Sequence, residues 1–359
     1  MLMVKELLQK LHIRLGYFLR CHIIEDMSLA EAKEFIHDFY PQRPPTFNQR
    51  VNYNPKYDLM IIVPVYNTED YLKDCIDSLL KQNTKYSYKI VFVDDGSTDH
   101  SRIILDNYIE NEKVEIMHKQ NSGIAGARNA ALKNICGRYI MFVDSDDLLA
   151  ADAVEILMDV ALSKNADIVE GAYVEFTGIR PVGNEKKNSQ ISGYPWGKVV
   201  CSDKMINLCF PEGYQYEDTI ISTLLMPSCK TVCTVPNIIY YYRKNEKSVT
   251  TKLNSQKESV DTLYMTLYCF REALERGYKI SEEDFLRQVR LNWLRTQSLP
   301  LEIKKAIFIC EIDILSRFFD EGVAHVKGAM KKLEKVLKKH NFIAYEWLMN
   351  NWKVFDVLK

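Results

Sequence analysis

No Cys-x-x-Cys pair occurs among the nine cysteines, which stand at positions 21, 75, 136, 201, 209, 229, 233, 269 and 310. Their number is odd, and no histidine accompanies the closest two, Cys229 and Cys233. That pattern excludes a zinc knuckle and a disulfide scaffold, and reduced thiols in a cytosol are expected. An excess of one charge is also missing. Lys and Arg number 47 against 48 Asp and Glu, a net of −1. The overall balance gives no electrostatic reason to bind nucleic acid. No apolar run approaches the ~18–20 residues of a spanning helix. The first residues lack the apolar core and small-residue cleavage site of a secretory signal. No Gly-x-Gly-x-x-Gly follows the first predicted strand and no Gly-Lys-Ser/Thr loop exists, which removes dinucleotide oxidoreductases and P-loop enzymes. Internal repeats and low-complexity tracts are absent as well.

What remains is a 359-residue chain, 47% hydrophobic and 26% charged, of the size and composition of a soluble two-domain protein. Residues 1–39 read as helical, with Val4, Leu8, Leu11, Leu15 and Phe18 at spacings of three and four. Pro41, Pro44, Pro45 and Pro55 mark a linker without regular structure. From Leu59 the chain alternates. Strands are predicted at 59–65, 89–93, 114–118, 138–143 and 167–171. Helices are predicted at 69–81, 99–111 (Asp99 as cap), 124–135 and 152–163. This alternation implies an α/β fold, a mostly parallel sheet with helices on both faces. Residues 178–193 read as a polar loop, 195–198 as the opening of a short helical region, and 240–242 as an aromatic strand. From about 255 onward the pattern is helical, with a capping box at Ser281–Asp284. The expected domains are 1–57, a helical extension and linker; 58–250, a nucleotide and acceptor domain; and 251–359, a helical region.

Two strands end in acids. Ile90–Val93 runs into Asp94-Asp95-Gly96-Ser97, and the strand at 138–143 runs into Asp144-Ser145-Asp146-Asp147. Carboxylates this close repel unless a cation sits among them. A divalent metal carrying a diphosphate satisfies that need with hard oxygen ligands. In parallel sheets ligands bind beyond the carboxyl ends of the strands, where both clusters fall. A dehalogenase-like phosphatase also places Asp-x-Asp at a strand end. It wants Thr or Val where Asp147 stands, and its acidic strand usually comes first.

Pro64-Val65-Tyr66-Asn67, Asp94-Asp95-Gly96-Ser97-Thr98-Asp99, Gly123 through Asn129 and Asp144-Ser145-Asp146-Asp147 occur in that order. Together they resemble the signature set of family 2 glycosyltransferases, the inverting type with the GT-A (Rossmann-like) fold. Gly213 through Asp218 resembles the family's Glu-Asp element. Tyr241-Tyr242-Arg243 followed by Ser248-Val249-Thr250 resembles the closing motif of its polysaccharide-building members. The resemblance covers roughly 58–250.

The resemblance implies a role for each matching residue. Pro64, Val65 and Tyr66 would line the base pocket, with Asn67 as pocket residue or helix cap. Asp94 and Asp95 would hold the nucleoside, against the alternative of an Asx turn. Arg128 would reach the base or phosphates. Asp144 and Ser145 would meet the nucleotide, and Asp146, with Asp144, would ligate Mn²⁺ or Mg²⁺. Asp147 is either functional or a cap for the next helix. Asp218 would be the general base, at a helix start whose dipole favours negative charge; Glu217 is its competitor. Trp196 and Lys198 would face the acceptor, against the alternative that Trp196 packs in the core, and Arg243 and Ser248 the diphosphate, against a purely structural role for Arg243.

The implied reaction is transfer from a nucleotide sugar, UDP ahead of GDP and dTDP, to a saccharide acceptor on a lipid carrier in bacterial surface polysaccharide synthesis. The rival is a non-catalytic scaffold of the same fold. Residues 327–340 hold six lysines and one glutamate around an apolar stripe of Val326, Met330, Leu333 and Leu337. This helix and the basic N-terminal helix are candidates for an anionic membrane surface, for packing on the core, or for self-association. The expected location is the cytoplasm, peripheral on the inner face of the membrane.

Overall fold

The apolar run beginning at Leu59 lies in the interior of a sheet. In the computed structural model β1 (Asn52–Val65) pairs in parallel with β2 (Tyr88–Asp94) on one side and β4 (Asn134–Phe142) on the other. β3 (Val114–His118) adds in parallel beyond β2. A central strand covered on both faces has no need of polar alternation, and Leu59 through Val63 are at most 1% exposed. The structure describes residues 2–20, 26–43, 51–178, 181–186, 191–245, 256–319 and 326–356, the side chains of 2–8 and 356 excepted.

The chain divides into two units. One comprises Pro44–Ser248 with Glu275–Tyr278, the other Met1–Arg43, Val249–Leu274 and Lys279–Lys359. The first unit holds the sheet. Its strand order is β3-β2-β1-β4-β8-β6-β9-β5, with β7 on β6. The added strands are β5 (Leu148–Leu149), β6 (Ile168–Phe176), β7 (Gly183–Lys186), β8 (Lys198–Cys201) and β9 (Val232–Arg243). β6 and β9 are parallel, whereas β8 runs antiparallel between β4 and β6. The fold is thus mixed α/β with a mostly parallel sheet. Helices α3 (Glu69–Leu80), α4 (Ser101–Asp106), α5 (Gly123–Leu132) and α6 (Ala153–Ser163) connect the parallel strands. Leu72, Cys75, Ile76 and Leu79 of α3 share a core with Val154, Leu157 and Met158 of α6 and with Ile61 and Val63 of β1. Two short helices follow, α7 (Ser202–Met205) and α8 (Met226–Ser228).

Several boundaries differ from the sequence expectation. β1 starts at Asn52 and includes Pro55, inside the expected linker, because Asn52 and Tyr53 pair with Asn134 and Ile135 of β4. The same pairing ends α5 at Leu132 and makes strand of 134–137, which read as helix and turn. α4 is shorter than 99–111. Asp99 does not extend it but accepts from the backbone N–H of Ser101 and of Glu69. The region at 195–198 is not helical: Trp196 bridges Phe142 and Lys198 opens β8.

The second unit is helical. α1 (Leu2–Arg20) and α2 (Leu29–Phe39) replace the single helical region expected at 1–39, and Ser28 and Glu31 form a full capping box on α2. α9 (Asp261–Glu275), α10 (Glu282–Thr296), α11 (Leu301–Phe318), α12 (Gly328–Lys338), α13 (Phe342–Asn350) and α14 (Trp352–Asp356) complete it. At the start of α10, Ser281 accepts from the Asp284 N–H. The shortened Asp284 side chain takes the Ser281 hydroxyl instead of its backbone, so only half of the box forms.

A carboxyl is buried among these helices. Glu311 accepts from Asn292 Nδ2 at 3.0 Å and from the Tyr345 hydroxyl at 3.1 Å, and both oxygens are shut from water. Burial pushes its pKa from 4.5 to about 8, against the pull of those two donors. A folded-state value above the unfolded one gives stability that is complete below about 4.5 and is lost as pH rises toward about 8. Glu311→Gln keeps the shape and removes the ionisation. We expect it to raise denaturant stability at about pH 8 by roughly a few kcal/mol and to lose that advantage near pH 4.5. Equal gains at both pH values would show that the carboxyl ionises freely in the fold.

Candidate functional site

The carboxyl ends of β1, β2 and β4 lie side by side, and this brings the separated motifs together. Val65 pairs with Asp94, and the Asp95 N–H donates to Val65 O at 2.9 Å. The Val143 N–H donates to Ile62 O at 3.0 Å, which sets the acidic turn 144–147 beside them. Pro64 and Val65 close β1, while Tyr66 stands 49% exposed beyond it. Asn67 takes a positive φ of 53° and its Oδ1 accepts from the N–H groups of Thr98 and Asp99. It therefore tethers the neighbouring loop, and Thr68 holds the cap position of α3.

Asp94 and Asp95 are both buried and both engaged. Asp94 accepts from the Ser97 N–H at 2.9 Å, an Asx turn, and contacts His118 Nδ1 at 2.9 Å. Burial raises its pKa, but the bonds from Ser97 and His118 outweigh burial and the net shift is downward. Asp95 binds Lys119 Nζ at 2.5 Å and the Ser122 N–H at 3.0 Å. Gly96 between them has φ 74°, and a Cβ there would lie 2.9 Å from Asn121 N. His118 and Lys119 did not figure in the sequence reading. Their signal was available: His118 ends β3, the strand next to the one that carries Asp94, and Lys119 follows it.

The acidic turn is braced by β9. The Tyr240 hydroxyl donates to Asp147 Oδ2 at 2.8 Å and accepts from the Asp144 N–H at 3.0 Å. Arg243 donates its N–H to Asp147 Oδ1 at 2.6 Å and its Nε–H to Asp146 O at 2.7 Å, and it also bonds Gly178 O. Asp147 is consequently a buried anchor of the turn and caps no helix. Arg243 is only 4% exposed, and its Cζ lies 4.8 Å from the Tyr71 ring centroid and 4.6 Å from that of Phe176. Ser145 accepts from the Thr68 hydroxyl at 3.1 Å. Burial first, then Asp144, push Asp146 up to about 6, with Arg243 and Asn245 pulling the other way. Burial also raises Asp144 and Asp147. Three carboxyls that each resist ionisation mark a turn short of positive charge.

Arg128 links this turn to the Glu-Asp element. It pairs with Glu217 at 2.6 Å through Nη1 and with Asp144 at 3.4 Å through Nη2. Glu217 is buried in that pair. Asp218 is half-buried, and its charge is felt at Asp144, Glu217 and Lys198. The Asp218 carbonyl accepts from the Ile221 N–H at 2.8 Å, and a π-helical turn (Ile221–Leu225) runs on from there. Two buried donors near the turn, Arg128 Nε and Arg243 Nη2, have no hydrogen-bond acceptor among the described residues.

Trp196 and Lys198 sit inside the wall. Trp196 is 5% exposed and stacked between Tyr194 at 4.7 Å and Tyr240 at 4.6 Å. Lys198 has no exposed side-chain surface. It pairs with Glu170 at 3.0 Å and donates to Ser192 O at 2.6 Å. Burial lowers its pKa and Glu170 partly restores it. Glu170, from β6, carried no motif and escaped the sequence reading. Ser248 lies outside the described residues.

No group of three or more His, Cys, Asp or Glu poised to hold a metal occurs among the described residues. Mg²⁺-type ions commonly take one or two carboxylates and complete their shell with water and substrate phosphates. The hard oxygens of Asp144 and Asp146, both resisting charge, fit that mode.

The family model for glycosyl transferase family 2 matches residues 60–213. Glycosyltransferase GlyA of Streptococcus pneumoniae is 42% identical over 119 residues, 33% of this chain and 17% of that protein. Minor teichoic acid biosynthesis protein GgaB of Bacillus subtilis is 31% identical over 209 residues, 53% of this chain and 23% of that protein. The chain thus spans under a quarter of either relative's length. Among solved structures, S. aureus TarS 1–349 in complex with UDP-GlcNAc superimposes with a TM-score of 0.64 at 18% identity, over 82% of this chain and 91% of that one. At that identity the likeness concerns the fold, a GT-A fold with a helical C-terminal region. Over residues 60–213, which hold the acidic strand ends and Arg128, this chain is similar to glycosyl transferase family 2.

Proposed function

We propose that the chain transfers a hexosyl group from a UDP-sugar to a hydroxyl of a saccharide acceptor with inversion at the anomeric carbon. The observation that carries this reading is the junction of the charge-poor acidic turn with the Glu-Asp element through Arg128. Buried donors at Arg128 and Arg243 without acceptors favour an anionic group, such as a diphosphate, beside the turn. A divalent ion on Asp146, with Asp144 beside it, would act as a Lewis acid toward the departing diphosphate.

The chain's own residues do the rest. Asp218 takes the proton of the attacking hydroxyl, because Glu217 is committed to Arg128. Tyr240, Asp147 and Arg243 hold the turn rigid. Tyr66 offers an exposed ring at the end of β1, where a base can stack. The teichoic acid role named for GgaB and the UDP-GlcNAc bound by TarS support UDP and a surface polysaccharide; the lipid carrier of the acceptor is part of the proposal alone.

Calorimetry with UDP, GDP and dTDP, each with Mn²⁺ and then with EDTA, tests the donor. Saturable UDP binding that EDTA weakens is the expected result. Binding of no nucleotide under either condition would favour a scaffold of the same fold.

A further inference from the structure

The structure separates the two basic amphipathic helices. On α12 the apolar stripe points inward: Leu333 and Leu337 are fully buried and Val326 is 6% exposed. Its lysines Lys331, Lys335 and Lys338 are exposed, while Met330 of the stripe, Lys332 and Glu334 are half-buried. On α1 the opposite holds. Leu11, Leu15, Phe18 and Leu19 are 55–65% exposed, at spacings of four, three and one, which is a single outward helical face.

That face is turned outward by tight packing of the other. Trp347 of α13 donates Nε1–H to Ile13 O at 2.8 Å. A Cβ at Gly16 would meet the Trp347 ring at 2.5 Å, so glycine is what lets α1 lie so close. Arg20 covers the same ring at 4.2 Å, and Tyr17 is buried against Phe355. α1 therefore cannot roll its leucines inward without losing these contacts.

The surroundings of the stripe are basic. Residues 9–20 hold Lys10, Arg14 and Arg20 and no acid. Lys332 of α12 lies 5.1 Å from the Tyr17 ring centroid, so the lysine face of α12 begins beside α1 and continues through Lys331, Lys335 and Lys339. Among the described residues no helix is long and apolar enough to cross a membrane. A short apolar ridge with a cationic border matches the interface of an anionic bilayer, where side chains enter the acyl boundary and lysines meet headgroups.

We propose that the Leu11, Leu15, Phe18 and Leu19 face of α1, with the lysines of α12 beside it, docks this unit on an anionic lipid surface. The inference goes beyond the transfer reaction and rests on the helical unit alone. Such docking would bring the chain to a lipid-borne acceptor.

Co-sedimentation of the full chain with vesicles of phosphatidylglycerol and phosphatidylcholine, and of phosphatidylcholine alone, tests it. Wild type is expected to bind the anionic vesicles, more weakly as salt rises, and to leave the neutral ones. Leu15→Glu with Phe18→Glu should cut that binding about tenfold or more. Lys331→Glu with Lys335→Glu should weaken it on the anionic vesicles. These side chains are exposed, so circular dichroism should be unchanged. Unaltered binding by the Leu15/Phe18 variant overturns the proposal, as does a wild type that ignores anionic vesicles. A dimer that this variant splits into monomers would assign the face to a second copy instead. UDP calorimetry on the same preparations keeps a failure of docking distinct from a failure of the donor reading.

Discussion

Asp146→Asn is expected to lower turnover about a thousandfold and to abolish the part of UDP affinity that EDTA removes. In the proposed reaction the diphosphate leaves as a concentrated negative charge, and a divalent ion held beside it would supply several kcal/mol, or roughly three powers of ten in rate. Asp146 is the acid suited to hold that ion. Asp147 is spent on Tyr240 and Arg243, and Asp144 already faces Arg128. Asp146 keeps its carboxylate in a desolvated place that drives its pKa to about 6. The same crowding separates loss of function from loss of fold. Asp146 raises Asp147, so removing its charge relieves repulsion. Thermal unfolding of Asp146→Asn should therefore come no lower than wild type. A variant that melts early, or one with full metal-dependent UDP binding, would take the metal away from this residue.

Asp218→Asn is expected to lower kcat by about 10²–10⁴ while UDP binding stays at the wild-type level, since a general base acts on the acceptor and not on the donor. Glu217→Gln provides the contrast. It leaves Arg128, at 3% side-chain exposure, facing a neutral amide in place of its 2.6 Å carboxylate, with only the longer 3.4 Å pair to Asp144 to balance its charge. Removing one member of such a pair costs roughly 3–5 kcal/mol, so its main effect should be lower stability. Steady-state kinetics with denaturant melts on both variants distinguishes the two acids. If Asp218→Asn turns over normally and Glu217→Gln is stable but inactive, the roles are reversed.

The parts of the site differ in how far they could be read before the fold. The run of apolar residues into Asp94-Asp95 and into Asp144–Asp147 placed both clusters at strand ends, because strand polarity follows from local composition. The roles of their members were not legible. Asp94 and Asp95 look alike in sequence, yet one closes an Asx turn against His118 and the other receives Lys119. Trp196 and Lys198 carried a motif suited to an acceptor face, and the sheet folds both into its wall.

From the sequence alone came the alternation of strand and helix, the order of the acidic motifs and the two basic amphipathic helices. These depend on periodicity and on neighbours a few residues apart, which the chain carries in any conformation. Tertiary structure decided which acid is committed and which is left. Arg128 finds Glu217 across 89 residues, and Asp147 finds Arg243 across 96. It also decided that α12 hides its apolar stripe while α1 shows one, because Gly16 lets a tryptophan 331 positions away pack against the other side of α1. Burial and ion pairing are set by where the chain returns on itself. That return follows from the packing of whole elements, and no local pattern encodes it.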